Sequence, residues 1–167
     1  MSDARWRPSV TVAAVIERDG RYLLVEEDTV DGVRLNNPAG HLDPGESLLD
    51  AVAREVLEET ARPFTPDALV GAYLARFRHV RSGDDITYLR FAICGTVGEA
   101  IAGRALDAPV ERTLWMTRDE LRACPGRHRS PLVMRCIDDY RTGRRWPLDL
   151  VQEVAGAGAG LVERAGS

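Results

Sequence analysis

A Gly/Pro-rich loop followed by an amphipathic helix, over residues 38–62, constrains the fold of this chain more than any other part of its sequence. The loop runs from Pro38 to Glu46 and contains two glycines and two prolines, which impose tight backbone geometry. The helix is predicted from Ser47, its N-cap, to Thr60, and Pro63 ends it. Its apolar positions recur at helical spacing: Leu49, Val52, Ala53 and Val56. The segment therefore predicts a stiffened loop that leads into a helix with one apolar face.

Apolar, β-branched runs on both sides of this segment predict strands. Two hairpins are expected, Val10–Glu17 with Arg21–Glu27 across Asp19-Gly20, and Ala68–Val80 with Ile86–Val97. Between them, Asp28–Asn37 is predicted as a loop or a short pairing. The later elements are a strand at Thr113–Met116, a short helix capped by Thr117 through Cys124, and a helix from Ser130 to Tyr140 ended by Gly143. Strands mixed with two or three helices predict an α/β or α+β sandwich, in which helices cover both faces of a mixed β-sheet.

The length of 167 residues fits one domain. We expect that domain to span residues 1–150, and the Ala/Gly-rich residues 151–167 to form a flexible C-terminal tail. Hydrophobic residues make up 44% of the chain and charged residues 29%, as in a globular protein. A net charge of −4 argues against non-specific binding to nucleic acid.

Cysteine usage and the N-terminus predict a cytoplasmic location. The three cysteines are odd in number and widely spaced, which argues against a disulfide framework or a zinc site. Residues Met1–Pro8 contain no apolar stretch of the kind found in a signal peptide. The longest aliphatic run, Val10–Ile16, is far shorter than the ~20 residues of a membrane-spanning helix, so no membrane association is expected.

Three glutamates share one face of the predicted helix. Glu55, Glu58 and Glu59 lie at positions i, i+3 and i+4, within an arc of about 100°. Two like charges ~4 Å apart repel by about 4 kcal/mol at an effective dielectric constant near 20. Arg54 can neutralise only part of this charge, whereas a hard divalent cation such as Mg²⁺ prefers carboxylate oxygens. The spacing alone leaves two interpretations open, a solvated acidic face or a metal site that binds a polyphosphate.

The segment resembles the signature of the Nudix hydrolases. That signature is Gly, five residues, Glu, seven residues, Arg-Glu, an aliphatic residue, any residue, Glu-Glu, any residue, Gly, and an aliphatic residue. The matching positions are Gly40, Glu46, Arg54, Glu55, Val56, Glu58 and Glu59. Two positions at the helix exit depart from it, because Ala61 replaces the glycine and Arg62 the aliphatic residue. The resemblance implies a Nudix fold and hydrolysis of phosphoanhydride bonds by metal-assisted attack of water.

The resemblance also implies roles for individual residues. Glu55, Glu58 and Glu59 would ligate Mg²⁺, or Mn²⁺ as a substitute, with the Gly40 carbonyl as a further ligand. Arg54 and Glu46 would form an ion pair that holds the loop to the helix. The general base would be one glutamate of this cluster or an acid from a later loop, for which Glu111 is the candidate. An exposed glutamate at the start of a strand is the other interpretation of Glu111.

Matches outside the signature point to a substrate class. Asn37-Pro38-Ala39-Gly40-His41-Leu42, Leu89-Arg90-Phe91 and Ser130-Pro131-Leu132-Val133 resemble a Nudix branch of phosphatases that act on nucleoside tri- and diphosphates and on the thiamine-pyrimidine diphosphate. From this resemblance we expect Asn37, His41 and Arg90 to contact a small-molecule phosphoanhydride, in a monomer or homodimer. Leu35 stands where that branch often has Trp, so one aromatic stacking partner is expected to be missing. Other Nudix substrates (ADP-ribose, dinucleoside polyphosphates, oxidised nucleotides) and an inactive nucleotide-sensing module remain alternatives.

Overall fold

A seven-stranded mixed sheet forms the centre of the structure, a computed structural model that describes residues 6–78 and 83–154. Its strands are β1 (Ser9–Arg18), β2 (Arg21–Glu27), β3 (Arg34–Asn36), β4 (Ala39–His41), β5 (Phe64–Arg78), β6 (Asp85–Val97) and β7 (Val110–Thr117). The main path through the sheet is β3-β2-β1-β6-β5, while β4 pairs with β1 and β7 pairs with β2. Strands β1 and β6 run parallel, and the other pairs are antiparallel.

Helices cover both faces of this sheet. The α-helices are α1 (Leu48–Thr60), α2 (Arg118–Arg122) and α3 (Leu132–Arg141), and short 3₁₀ turns lie at Pro125–Arg127 and Leu148–Leu150. Strand β1 contributes to two cores: Val12 and Ile16 pack with α1, and Val15 packs with α2 and α3. The predicted sandwich and the covering of both sheet faces are therefore confirmed.

The local turn and capping signals are confirmed as well. The first hairpin turns at Asp19 and Gly20, whose positive φ angles of 52° and 76° suit a two-residue hairpin loop. The Ser47 hydroxyl accepts a hydrogen bond from the Asp50 backbone N–H (2.9 Å) at the start of α1. Thr117 and Glu120 form a reciprocal capping box on α2. The second hairpin forms between β5 and β6, with residues 79–82 outside the described part of the chain.

Three sequence expectations were wrong in detail. The predicted loop after Pro38 contains β4, because Ala39–His41 pairs with β1, a partner that local composition does not reveal. Leu49 was placed on the apolar face of α1, but it is 37% exposed, and Leu48 packs against the core instead. The last helix begins at Leu132 rather than Ser130, because the Ser130 hydroxyl accepts a hydrogen bond from the Leu132 backbone N–H (3.3 Å) ahead of the helix.

Helix α1 ends on a left-handed residue. Ala61 has φ of 55° and ψ of 24°, a conformation that usually selects glycine, and its backbone N–H donates to the Leu57 carbonyl. The departure from the signature at Ala61 therefore leaves the helix exit in its usual form, at a cost of about 1–2 kcal/mol. Within the described ranges, no helix is long and apolar enough to cross a membrane. Of the predicted tail, residues 155–167 lie outside the described residues, so that prediction remains open.

Candidate active site

Arg54 on α1 ties the Gly/Pro loop to the helix. Its guanidinium donates to both oxygens of Glu46 (2.7 and 2.9 Å), to Glu55 Oε1 (2.8 Å) and to Glu58 Oε2 (3.1 Å). It also donates to the His41 carbonyl (3.0 Å). These bonds raise the pKa of Arg54 and lower the pKa of Glu46, because each ion favours the charged form of its partner. The contact predicted between Arg54 and Glu46 is present, and Arg54 thereby links the loop to Glu55 and Glu58 of the helix.

Gly40 lies directly against the Glu55 carboxylate. A Cβ atom at position 40 would collide with both carboxylate oxygens of Glu55, so any larger residue there would have to displace that carboxylate. Glu55 is half-buried there, and burial raises its pKa, with the nearby Arg54 acting in the opposite direction. The glycine of the signature is thus explained by the space that a carboxylate needs.

Glu59 is the most buried of the three helix acids. Glu59 is 9% exposed, and its Oε2 accepts a hydrogen bond from the Ala39 backbone N–H (2.8 Å). Burial raises its pKa to about 8, and the negative charges of Glu27, Glu55 and Glu58 add to the shift. Below about pH 8, a nearby positive charge is therefore needed to keep Glu59 ionised.

Glu59 faces a cavity of about 460 Å³. The charged and polar residues that line it include Thr11, Glu27, Asn36, His41, Glu59, Arg90 and Arg129. An apolar part of the wall is formed by Val30, Phe77, Ile86, Tyr88 and Pro109. The rings of Phe77 and Tyr88 pack edge to face, with centroids 5.9 Å apart. The ring centroids of His41 and Tyr88 are 6.2 Å apart. A second cavity of about 530 Å³ lies beside Leu48, Leu69 and Leu148, lined by neither Glu59 nor Arg90.

The structure brings some of the predicted residues to this cavity and leaves others away from it. Gly40, His41, Glu59 and Arg90 line it, whereas Glu46, Arg54, Glu55 and Glu58 form the adjoining ion-pair cluster. Asn37 is buried and is not among the lining residues. Glu111 lies exposed on β7 and does not line the cavity, so its role as a base remains a prediction. Leu35 is fully buried in the core, so its position does not face the cavity.

Four charged residues that line the cavity were not among the site residues predicted from the sequence: Glu27, Asp31, Arg78 and Arg129. Glu27 ends β2, is 7% exposed, and accepts a hydrogen bond from the Asn36 side chain (2.9 Å). Arg129 follows the 3₁₀ turn at Pro125–Arg127 and places its Nε 3.7 Å from Glu27 Oε2. The available signal for Glu27 was the pair of acids, Glu26 and Glu27, that closes an otherwise apolar strand.

The carboxylates of Glu55, Glu58 and Glu59 are chemically suited to bind a hard divalent cation. Carboxylate oxygens of three glutamates are the ligands that such an ion prefers, and a positive charge beside Glu59 would offset the burial and the neighbouring negative charges that raise the pKa of that residue. In the described arrangement, Glu55 and Glu58 are paired with the Arg54 guanidinium. Within residues 6–78 and 83–154, no three His, Cys, Asp or Glu side chains are grouped as metal ligands.

Comparison with known proteins identifies the chain as a hydrolase that acts on phosphoanhydrides. The NUDIX domain family model matches residues 5–135, so the chain belongs to the Nudix family. Nudix enzymes generally use divalent metal ions. Among curated proteins, the chain is 33% identical to Phosphatase NudJ of Escherichia coli (strain K12) over 147 residues, which cover 87% of this chain and 92% of that protein.

Solved structures agree with this assignment. A NUDIX hydrolase from Nitrosomonas europaea is 49% identical, with a TM-score of 0.82, over 90% of this chain and 100% of the other. An ADP-ribose pyrophosphatase from Streptococcus suis shares only 17% identity, with a TM-score of 0.59, over 84% of this chain and 96% of the other. The second likeness supports the fold alone.

Proposed function

We propose that this Nudix hydrolase releases phosphate from nucleoside tri- or diphosphates, or from the diphosphate of the thiamine-precursor pyrimidine, with Mg²⁺ as the metal and Mn²⁺ as a substitute. The observation that carries the proposal is one cavity in which a buried carboxylate, Glu59, and a half-buried guanidinium, Arg90, adjoin an apolar aromatic wall. Such a cavity suits a ligand that has both a phosphate chain and a planar ring. The likeness to Phosphatase NudJ supports a phosphatase activity.

The residues divide the chemistry between them. Glu55, Glu58 and Glu59, with the Gly40 carbonyl, would hold the metal, which would neutralise phosphate charge and supply an activated water. Arg54 keeps the loop in place through Glu46, and so keeps Gly40 against Glu55. A carboxylate of the cluster, or Glu111, would take the proton of the attacking water. No covalent nucleophile is needed for this reaction.

Two side chains are assigned to the substrate. Arg90 would bind phosphate oxygens, and His41 would contact the ligand beside Tyr88. We further propose that the enzyme works in the cytoplasm on a small-molecule substrate, as a monomer or homodimer. Its three cysteines are free, in keeping with a reducing compartment.

A phosphate-release screen tests the proposal. The substrates are nucleoside di- and triphosphates, sugar nucleotides and thiamine-related diphosphates, each with and without Mg²⁺, and the products are identified by chromatography. Glu59→Gln and Glu58→Gln should each lower kcat by about 10²–10⁴-fold while the fold is retained. Glu99→Gln is the matched control, because its side chain is 90% exposed and lies outside the cavity.

Other products would overturn the proposal in defined ways. Pyrophosphate, or AMP together with a sugar phosphate, would identify a Nudix pyrophosphatase for another nucleoside diphosphate derivative. Tight nucleotide binding without Mg²⁺-dependent turnover would identify a nucleotide-sensing module.

A further inference from the structure

Two guanidinium groups in the cavity lack a full set of acceptors. The Nη1 atom of Arg90 is buried and has no hydrogen-bond partner among the described residues. Within the described part of the chain, its Nε contacts Thr11 Oγ1 alone, at 3.5 Å, the limit of a hydrogen bond. Arg129 has its Nε 3.7 Å from Glu27 Oε2, close enough for an ion pair but too far for a hydrogen bond. Both groups therefore retain the capacity to bind an anion.

The fold holds these two arginines from separate directions. Arg90 is on β6, in register with Thr11 of the parallel strand β1. Arg129 is fixed through its backbone N–H, which donates to the Leu35 carbonyl of β3 (2.8 Å). Glu27 stands beside Arg129 and is itself held by the Asn36 side chain. Arg90 and Arg129 therefore come from different elements and line the same cavity, where both guanidinium groups can contact one small anion.

Other arginines of the chain show what a purely structural role looks like here. Arg112 and Arg127 both hydrogen-bond to Glu26, and neither lines the cavity. Arg118 donates to Asp138 at 2.6 Å. In each case a carboxylate satisfies the guanidinium directly. Arg90 departs from this pattern, because no carboxylate of the described residues hydrogen-bonds to it. Burial lowers its pKa, while the charges of Glu27 and Glu59 act in the opposite direction. An unsatisfied buried donor is costly, and a phosphate oxygen would remove that cost.

We propose that Arg90 and Arg129 together bind the terminal phosphate of the substrate and select phosphate chains whose end is not esterified. This inference rests on the proposed function and specifies how that site chooses its substrate. A free terminal phosphate offers three oxygens and nearly two negative charges, whereas an esterified one offers two free oxygens and one charge. Two guanidinium groups therefore gain more from the free end. Diphosphates esterified at both ends lose that gain.

The test measures binding without turnover. ADP and its β-phosphate methyl ester are titrated by calorimetry into the full chain in excess EDTA, so that no metal contributes. The wild type should bind ADP about tenfold more tightly than the ester, and Arg90→Gln and Arg129→Gln should each remove most of that preference. Arg127→Gln is the matched control and should keep it, because Arg127 contacts Glu26 outside the cavity.

Separate measurements check whether each variant folds and whether it releases phosphate. Circular dichroism checks each variant, and Arg129→Gln carries the test alone if Arg90→Gln does not fold, since the Arg129 side chain is 47% exposed. An unchanged preference in a folded variant, or no preference in the wild type, overturns the two-arginine site. The same proteins are then assayed with Mg²⁺. If the wild type prefers ADP to the ester, the variants lose that preference and no phosphate is released, the two-arginine site is supported and the proposed function is overturned. If phosphate is released but the folded variants keep the preference for ADP, the proposed function is supported and the two-arginine site is overturned.

Discussion

Replacing Glu59 by Gln should change how the stability of the metal-free protein depends on pH. The folded chain holds the proton of Glu59 up to a pKa of about 8, whereas the unfolded chain releases it near 4.5. Between these two values the folded state binds more protons, so the free energy of unfolding of the wild type should fall as the pH rises. The difference corresponds to at most about 5 kcal/mol, at 1.36 kcal/mol for each pKa unit. Glu59→Gln has no such titration and can still accept the Ala39 hydrogen bond.

Urea unfolding at pH 5, 6, 7, 8 and 9 in excess EDTA measures this effect. Relative to the wild type, Glu59→Gln should gain stability from pH 5 to about pH 8, up to a few kcal/mol, and the gain should level off by pH 9. The exposed control, Glu99→Gln, should run parallel to the wild type. Saturating Mg²⁺ should flatten the wild-type curve, because ligation favours the ionised carboxylate. Parallel wild-type and Glu59→Gln curves in EDTA would refute the reasoning, since Glu59 would then carry no charge penalty in the folded chain.

Three further predictions concern the loop, the core and the ion pair. Gly40→Ala should lower kcat/KM by about tenfold or more, because the new methyl group displaces the Glu55 carboxylate, and steady-state kinetics measures this. Leu35→Trp should lower the free energy of unfolding by about 1–3 kcal/mol in urea titrations, because position 35 is in the core. It should not lower the KM for ring-bearing substrates. Arg54→Lys should reduce kcat although the charge is kept, because lysine cannot bind both oxygens of Glu46, and an unchanged kcat would contradict this role.

Much of the fold was predictable because its signals act between near neighbours. Three such signals involve residues within three positions of one another, so the local sequence determines their geometry. They are the Asp19-Gly20 turn, the Ser47 cap and the Thr117–Glu120 capping box. The two covered faces of the sheet were indicated by apolar strands such as β1. The strand β4 was missed because its evidence lies in pairing with β1, about 28 residues away in the chain.

The candidate site was predictable only in part, for the same reason. The acids of α1 were found because helical spacing places them on one side. The cavity wall formed by Glu27, Arg90 and Arg129 comes from separate strands and a connecting segment, which only the tertiary fold brings together. Leu35 is a different case. The resemblance identified it as a position where related phosphatases often have Trp, but it did not show that this side chain lies in the core.

The three helix acids are not equivalent, and this difference determines where a cation matters most. From spacing alone, Glu55, Glu58 and Glu59 looked like one repulsive cluster that a single arginine could not neutralise. The structure shows that Arg54 contacts Glu55 and Glu58 together and leaves Glu59 to a backbone N–H. Most of the unrelieved charge penalty therefore falls on Glu59, which also faces the cavity. A metal that occupies this site should consequently stabilise the ionised form of Glu59 more than that of its neighbours on α1.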